Sequence, residues 1–355
     1  MNKRVIGFIG IIILAVLVIG LLSFQLKGNQ DIADKDIQIG VLLPLTGNAA
    51  YYGEASRRGI EIAKEEMVNN YPNLNIKVIY EDSQYTAQGG VSAYKKLQNT
   101  NNLDAVITAA SQVSLAVLPL TTEDQILQMA IFSSTGKYST PNDLSFRVST
   151  KNDIEAKYIT NFIKEQNFKD LAIVYLNNDF GVGIKDTLHK QLAGTNNIIA
   201  EEAFLPEEND FRTLLTKLKD KKPDAIVMVG TAIAYGLILK QAKELDIETQ
   251  FITTRSAEDP VLLQQDQEIT NGLVYTYPFD KTKETKEVKN FIKEFKTKYN
   301  TVPDAYAAEG YEGFKLTSLA VKECDRDKAC IQLYFQNTKD YNSLFGPLSF
   351  DSNGD

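Results

Sequence analysis

Between residues 105 and 136 the chain reads AVITAASQVSLAVLPLTTEDQILQMAIFSSTG. A short apolar strand at 105–108 empties into Ser111-Gln112-Val113-Ser114, and a helical run follows to about Asp124. A second apolar run at 126–132 empties into Ser133-Ser134-Thr135-Gly136. Strand, helix and strand in this spacing form one parallel unit, because parallel neighbours need a crossover and a helix supplies it. Either hydroxyl cluster alone is accounted for by a helix cap or a turn. Two of them at adjacent strand ends point to a binding site. Ligands of open parallel sheets sit beyond the carboxyl ends of the strands, and free N–H groups beside hydroxyls make a seat for an anion.

The alternation extends in both directions. Upstream, strands are expected at 37–45 and 76–80, with helices at 54–68 and 87–97. Residues 141–150 read as a crossing segment, with Phe146-Arg147-Val148 extended. Downstream the pattern restarts, with strands at 171–176, 198–204, 225–229, 250–253 and 272–277. Helices are expected between them at 154–166, 182–192, 210–218 and 233–245, and after them at 284–299 and 304–323. A chain of 355 residues exceeds what one core normally serves. The reading is therefore α/β, in two similar lobes with parallel sheets. No motif recurs at a fixed period, which excludes a repeat array. Ligands commonly bind where two domains meet.

Composition narrows the function. The net charge is −8 and the basic residues are scattered, which argues against a nucleic-acid surface. The single histidine, His189, cannot build a multi-histidine metal site, and two cysteines cannot make a four-cysteine site, so neither metal nor cofactor is expected. Cys324 and Cys330 fit neither a redox nor a zinc spacing. In an oxidising compartment they could close a small disulfide loop. No nucleophile elbow and no glycine-rich phosphate loop is present, so an enzyme is not expected.

The first residues speak to compartment. Lys3 and Arg4 precede twenty uncharged residues from Val5 to Phe24. At 1.5 Å per residue such a helix is about 30 Å long, enough to cross a bilayer core. The exit Leu21-Leu22-Ser23-Phe24-Gln25 is a poor cleavage site, so an uncleaved anchor is preferred over a cleaved signal. The basic flank places the rest of the chain outside the cytoplasm. Residues 25–36 read as a polar tether.

Seven segments, in order, carry a resemblance: IQIGVLLPLTGNAAYYGEASRRGIEIA, YEDSQYTAQGGVSAYKKL, FRVSTKNDIEAKYITNFI, LAIVYLNNDFGVGI, DFRTLLTKLKDKKPDAIVMVG, AEGYEGFKLTSLA and FGPLSFDSNGD. Residues 36–355 resemble the extracytoplasmic solute-binding proteins of branched-chain amino acid ABC transporters, the leucine-binding-protein-like type 1 periplasmic binding proteins. The resemblance implies two Rossmann-like lobes joined by three crossing strands and closing on a small ligand. It implies lobe 1 at 37–149 plus 280–332 and lobe 2 at 150–279 plus 333–355, with a further strand or two beyond FGPLSFDSNGD. It also implies no catalysis, an ABC permease as partner, and a monomer. A ligand-sensing receptor ectodomain of the same fold is the alternative.

The resemblance also implies a ligand site, with departures. Tyr52 matches a ligand-packing tyrosine. Gln112 falls where relatives carry a carboxylate-binding serine, flanked here by Ser111 and Ser114. Ser134 falls at a ligand-contacting position, and Gly136 where many relatives have threonine, for which Thr135 could substitute. Phe180 replaces one tyrosine and Ala232 another. Arg255 aligns with the glutamate that pairs the ligand's ammonium, with Glu258 or Asp259 as stand-ins. A guanidinium there would repel a desolvated ammonium. The expected ligand is therefore a small organic acid, an amide or an acidic amino acid, with leucine, isoleucine and valine bound weakly.

Overall fold

The computed structural model describes residues 36–138, 140–141, 143–264 and 267–355. The expected membrane anchor and most of the tether lie outside the described residues. Among the described residues no helix is long and apolar enough to cross a membrane.

The first sheet contains β1 (Ile37–Leu43), β2 (Ile76–Asp82), β3 (Ala105–Ala109), β4 (Leu127–Ile131) and β5 (Ser145–Val148). All its pairings are parallel, in the order β2-β1-β3-β4-β5. Helices α1 (Ala50–Asn70), α2 (Ala87–Thr100) and α3 (Ser111–Asp124) provide crossovers. The second half has α4 (Asn152–Glu165), β6 (Asp170–Leu176), α5 (Asp179–Leu192), β7 (Asn197–Phe204), α6 (Arg212–Lys221), β8 (Ala225–Val229), α7 (Ala232–Glu244) and β9 (Gln250–Thr253). Two short helices, α8 (Pro260–Leu263) and α9 (Gln267–Thr270), precede β10 (Val274–Tyr275). This second parallel sheet has the order β7-β6-β8-β9-β10, the same winding as the first. In both sheets the winding reverses beside the first strand, and a crevice opens there at the carboxyl ends.

Burial explains why the strands were readable. Every residue of β3, β4 and β8 is buried, as sheets covered by helices on both faces require. The edge strand β7 is only partly covered, with one fully buried residue, Phe204, and it carries the adjacent acids Glu201 and Glu202. Phe146 and its neighbours form β5, paired with β4, so the chain crosses just after this strand rather than within it.

After β10 the chain returns to the first lobe through α10 (Lys286–Tyr299), α11 (Ala305–Glu323) and α12 (Lys328–Asn337). A hairpin of β11 (Tyr341–Ser343) and β12 (Gly346–Leu348) follows. The expected assignment of 333–355 to lobe 2 needs correction. Phe335, Leu344 and Phe350 belong to the first lobe's core, and Phe146 stacks on Phe335 with ring centres 4.1 Å apart. Among the described residues the chain passes between lobes twice, near 149–151 and 276–285, against three expected crossings.

Helix α11 lies unusually close to α1. A Cβ on Gly59 would stand 1.9 Å from the Ala307 carbonyl oxygen, and one on Gly310 would stand 2.3 Å from that of Ser56. Only glycine permits this approach. It fixes Tyr52, on α1, against Tyr306, on α11. Past Glu323 the chain turns through Asp325 and Arg326, both left-handed at φ 41° and 67°, before α12 begins. This break brings Cys324 and Cys330 to a Cα separation of 5.4 Å, joined by a disulfide.

Candidate ligand-binding site

Residues beyond the carboxyl ends of the two sheets meet at the interface between the lobes, several expected site residues among them. The backbone departs from ordinary geometry at both strand ends singled out by the sequence. Ala110, after β3, has φ 78°, and Phe132, after β4, has φ 30°. Such conformations cost energy in non-glycine residues and gather at functional sites. Ser111 Oγ accepts hydrogen bonds from the backbone N–H groups of Ser134 (3.2 Å) and Thr135 (3.3 Å), so the first hydroxyl cluster ties down the second. Ser133 Oγ and Ser134 Oγ are buried without a protein partner.

Not every expected residue joins them. Ser114 is buried inside the first lobe, its Oγ accepting from Thr108 Oγ1 at 3.0 Å beside buried Gln128. That network belongs to the core rather than to a ligand seat. Gly136 is exposed, with open space where a side chain would stand. Thr135 is buried, and its carbonyl accepts from Arg147 Nη1 at 2.6 Å. Phe180 lies in the first turn of α5, whose N-cap Asn178 accepts from the Gly181 N–H at 2.9 Å. Gln112 donates through Nε2 to the Tyr85 carbonyl at 2.8 Å, leaving its Oε1 buried and unpartnered.

Tyr52 spans the cleft. Its hydroxyl accepts from the Ala232 N–H at 2.9 Å, at the start of α7, and donates to the Ser256 carbonyl at 3.4 Å. Its ring stacks on Tyr306 with centres 4.6 Å apart. Burial drives the Tyr52 phenol well above its ordinary range, so it is a neutral hydrogen-bonding group. Tyr235, on α7, accepts from the Gly230 N–H at 2.6 Å and bonds Thr254 at 2.9 Å.

Arg255 stands in a 3-10 turn after β9 and is only 2% exposed. Its guanidinium forms an ion pair with Glu309 of α11, donates to Ser149 Oγ at 3.2 Å, and lies over the Tyr306 ring at 5.6 Å. Its backbone N–H donates to Glu155 Oε1 at 3.1 Å, which also accepts from Thr276 Oγ1 at 2.6 Å. Burial alone would lower the Arg255 pKa, but the charges of Glu309 and Glu155 outweigh it and hold the group cationic. Glu309 and Glu155, rather than the neighbouring Glu258 and Asp259, are the acids beside Arg255. Glu309 also accepts from the Phe132 N–H at 2.5 Å, so one carboxylate links both lobes to the strained end of β4.

A second cluster of acids crosses the interface. Glu258 and Asp259, after the 3-10 turn, face Asp304 at the start of α11, and each is 4% exposed. Glu258 pairs with Lys281 at 3.2 Å and accepts from the Ala305 N–H at 3.3 Å. Burial, reinforced by Asp304, raises Glu258 from 4.5 to about 7. Burial also raises Asp259, from 3.8 to about 6, and Asp304.

Tyr306, Glu309, Glu155 and Tyr85 were not anticipated. A signal for Glu309 was present in AYAAEGYEGF, where two acids interrupt a helix of small and apolar residues. Such a helix is buried, and a buried acid needs a partner.

The periplasmic binding protein family profile matches residues 36–355. The chain belongs to that family. It is 25% identical over 362 residues to a Leu/Ile/Val-binding protein homolog 2 of Brucella abortus, covering 98% of this chain and 92% of the relative. The leucine-binding protein LivK of Thermotoga maritima superposes with a TM-score of 0.84 at 23% identity, covering 90% of this chain and 92% of LivK. LivJ of Streptococcus pneumoniae, solved with isoleucine, superposes with a TM-score of 0.82 at 25% identity, covering 90% and 93% of the two chains. These relatives support a solute-binding role and an extracytoplasmic location for the family member described here.

Proposed function

We propose that this protein is the extracytoplasmic solute-binding component of an ABC importer. It captures a small amino-acid-like or organic-acid ligand between its lobes and presents the closed form to a membrane permease, acting as a monomer and without catalysis. Residues 5–24 tether it to the membrane. The observation that carries this reading is the convergence of Tyr52, Tyr306 and Arg255 from both lobes where the two sheets' strand ends meet. Closure around a ligand couples occupancy to shape, which a permease can read.

The free hydroxyls of Ser133 and Ser134 offer a seat for a carboxylate. With Arg255 neutralised by Glu309, an ammonium group is no longer excluded by charge, so monocarboxylic amino acids join organic acids and amides as candidates. Calorimetric titration of the purified protein with each class tests the reading. Saturable one-to-one binding supports it. Co-purification with a permease supports transport, whereas co-purification with a signalling membrane protein in its place supports a sensor ectodomain.

A further inference from the structure

The turn between β2 and α2 carries two consecutive non-glycine residues in left-handed geometry, Gln84 (φ 53°) and Tyr85 (φ 58°). Bulky residues rarely adopt this conformation, and a fold that keeps it must over-determine it. Here it does. Asp82 Oδ1 accepts from the backbone N–H groups of Leu45 (2.9 Å) and Gln84 (2.8 Å), while its Oδ2 accepts from Thr46 Oγ1 at 2.6 Å. Thr86 donates its N–H to the Ser83 carbonyl at 3.0 Å and caps α2 through the Gly89 N–H at 2.9 Å.

The held turn carries Tyr85 out of its own lobe. Its ring packs against the first lobe's core and also against the second lobe's cluster that contains Tyr235 and Phe204. Gln112, from lobe 1, and Asn178 and Tyr235, from lobe 2, surround its side chain. Its carbonyl engages the Gln112 Nε2 donor, and Gln112 Oε1 is left buried with no protein partner. Tyr85 thus stands where both lobes and the unpartnered amide oxygen meet.

We infer that Tyr85 determines which ligands the cleft accepts: its ring closes one end of the ligand space, admitting compact ligands and excluding those that carry an aromatic ring. The inference rests on the solute-binding reading above and names the ligand class within it. A ring on a two-torsion side chain packed against both lobes is a rigid wall. A ligand bearing its own ring would have to displace it from its packing on both lobes.

The test titrates L-leucine, L-glutamate, succinate, benzoate and L-phenylalanine into the wild type, Tyr85→Ala and Tyr85→Phe, each checked for folding by circular dichroism. Tyr85→Ala is expected to shift the affinity ratio of ring-bearing to compact ligands by at least tenfold toward the ring-bearing ones. Tyr85→Phe is expected to keep the exclusion. An unchanged ratio in folded Tyr85→Ala overturns the inference while leaving the solute-binding reading intact. If the wild type binds none of the five, that reading fails for these ligands, and Tyr85→Trp decides the inference separately. The natural chain has no tryptophan, so residue 85 would be the sole indole reporter. Blue-shifted emission shielded from acrylamide supports its enclosure between the lobes, and solvent-exposed emission overturns it.

Discussion

Carboxylates from both lobes are buried at two places in the interface, and they are balanced differently. Around Arg255, Glu309 from the first lobe pairs with the guanidinium and Glu155 from the second accepts from the backbone N–H, with Ser149, Thr276 and the Phe132 N–H as further partners. Around Glu258, three acids share one ammonium, Lys281, which is itself 30% exposed. Glu155 Oε2 in the first cluster and Asp304 Oδ2 in the second are each buried without a hydrogen-bond partner. An arginine fork presents several fixed donors and stays charged when buried, whereas a lysine is a single point charge. Arg255 therefore stays charged, whereas burial raises Glu309 beside it just as it raises the three acids around Lys281, which have only one point charge among them.

The largest expected effect is at Arg255. Removing one partner of a buried pair leaves an uncompensated charge, at a cost of about 3–5 kcal/mol. Arg255→Met should lower the urea midpoint accordingly, and adding Glu309→Leu should recover part of the loss. Lys281→Met should cost far less at pH 5, because Glu258 can be neutral there. Equal losses in the two single variants would erase the distinction between the clusters.

The next effect is on pH dependence. Glu258 is raised to about 7 and Asp259 to about 6 in the folded protein, above their ordinary values of 4.5 and 3.8. A raised carboxyl contributes stability that is fully present below its unfolded pKa and is lost as pH rises through its folded pKa. The groups facing Glu258 are Lys281, Asp304, Tyr275 and Tyr277, and Asp304 also faces Tyr51 and Asp259. Thermal stability should therefore fall between pH 5 and 8, with Glu258 contributing on the order of 2–3 kcal/mol. Glu258→Gln should flatten that fall. Asp259, Asp304, Glu309 and Glu312, all raised by burial, supply the remaining slope. A melting profile unaffected by Glu258→Gln would show that this cluster does not titrate as described.

The disulfide serves as a control remote from both clusters. Reducing Cys324–Cys330 should cost about 2 kcal/mol in the chain-entropy treatment of a short loop. It should shift the melting temperature without changing the pH slope. Differential alkylation followed by intact mass confirms the bridge, and two thiols that alkylate without reductant would refute it.

The smallest effect is at Tyr52. Tyr52→Phe keeps the stacked ring and leaves the Ala232 N–H without its hydroxyl acceptor, which should cost about 1 kcal/mol. Because that bond joins the lobes, the loss should appear mainly as a several-fold faster ligand dissociation by stopped flow. No change in dissociation would mean that this bond does not hold the lobes together.

The sheets were legible because short apolar runs such as IQIGVLL and AIVMV are almost wholly buried, as strands covered on both faces must be. The hydroxyl clusters were legible as strand-end features, and Ser111 and Ser134 do meet. The hairpin and α12 were missed, since YNSLFGPL and KACIQLYFQN are short and take their conformation from packing on Phe146 and its neighbours. The partner of Arg255 was missed because it lies 54 residues away on another lobe. Local pattern reveals that an acid is buried but not which charge it meets. Tyr85 was hidden for a different reason: its direction depends on two left-handed residues that Asp82 holds in place.

The claim on which all of this depends is that a small solute binds between the lobes where Tyr52, Tyr306 and Arg255 converge. Calorimetric titration of the purified wild-type protein with L-leucine, L-glutamate, succinate and a small amide, repeated on the Tyr52→Ala/Tyr306→Ala double variant, tests it. The predicted result is saturable one-to-one binding of at least one of these by the wild type and loss of that binding in the folded double variant. Absence of saturable binding by the wild type, or equal binding by the double variant, would contradict the account.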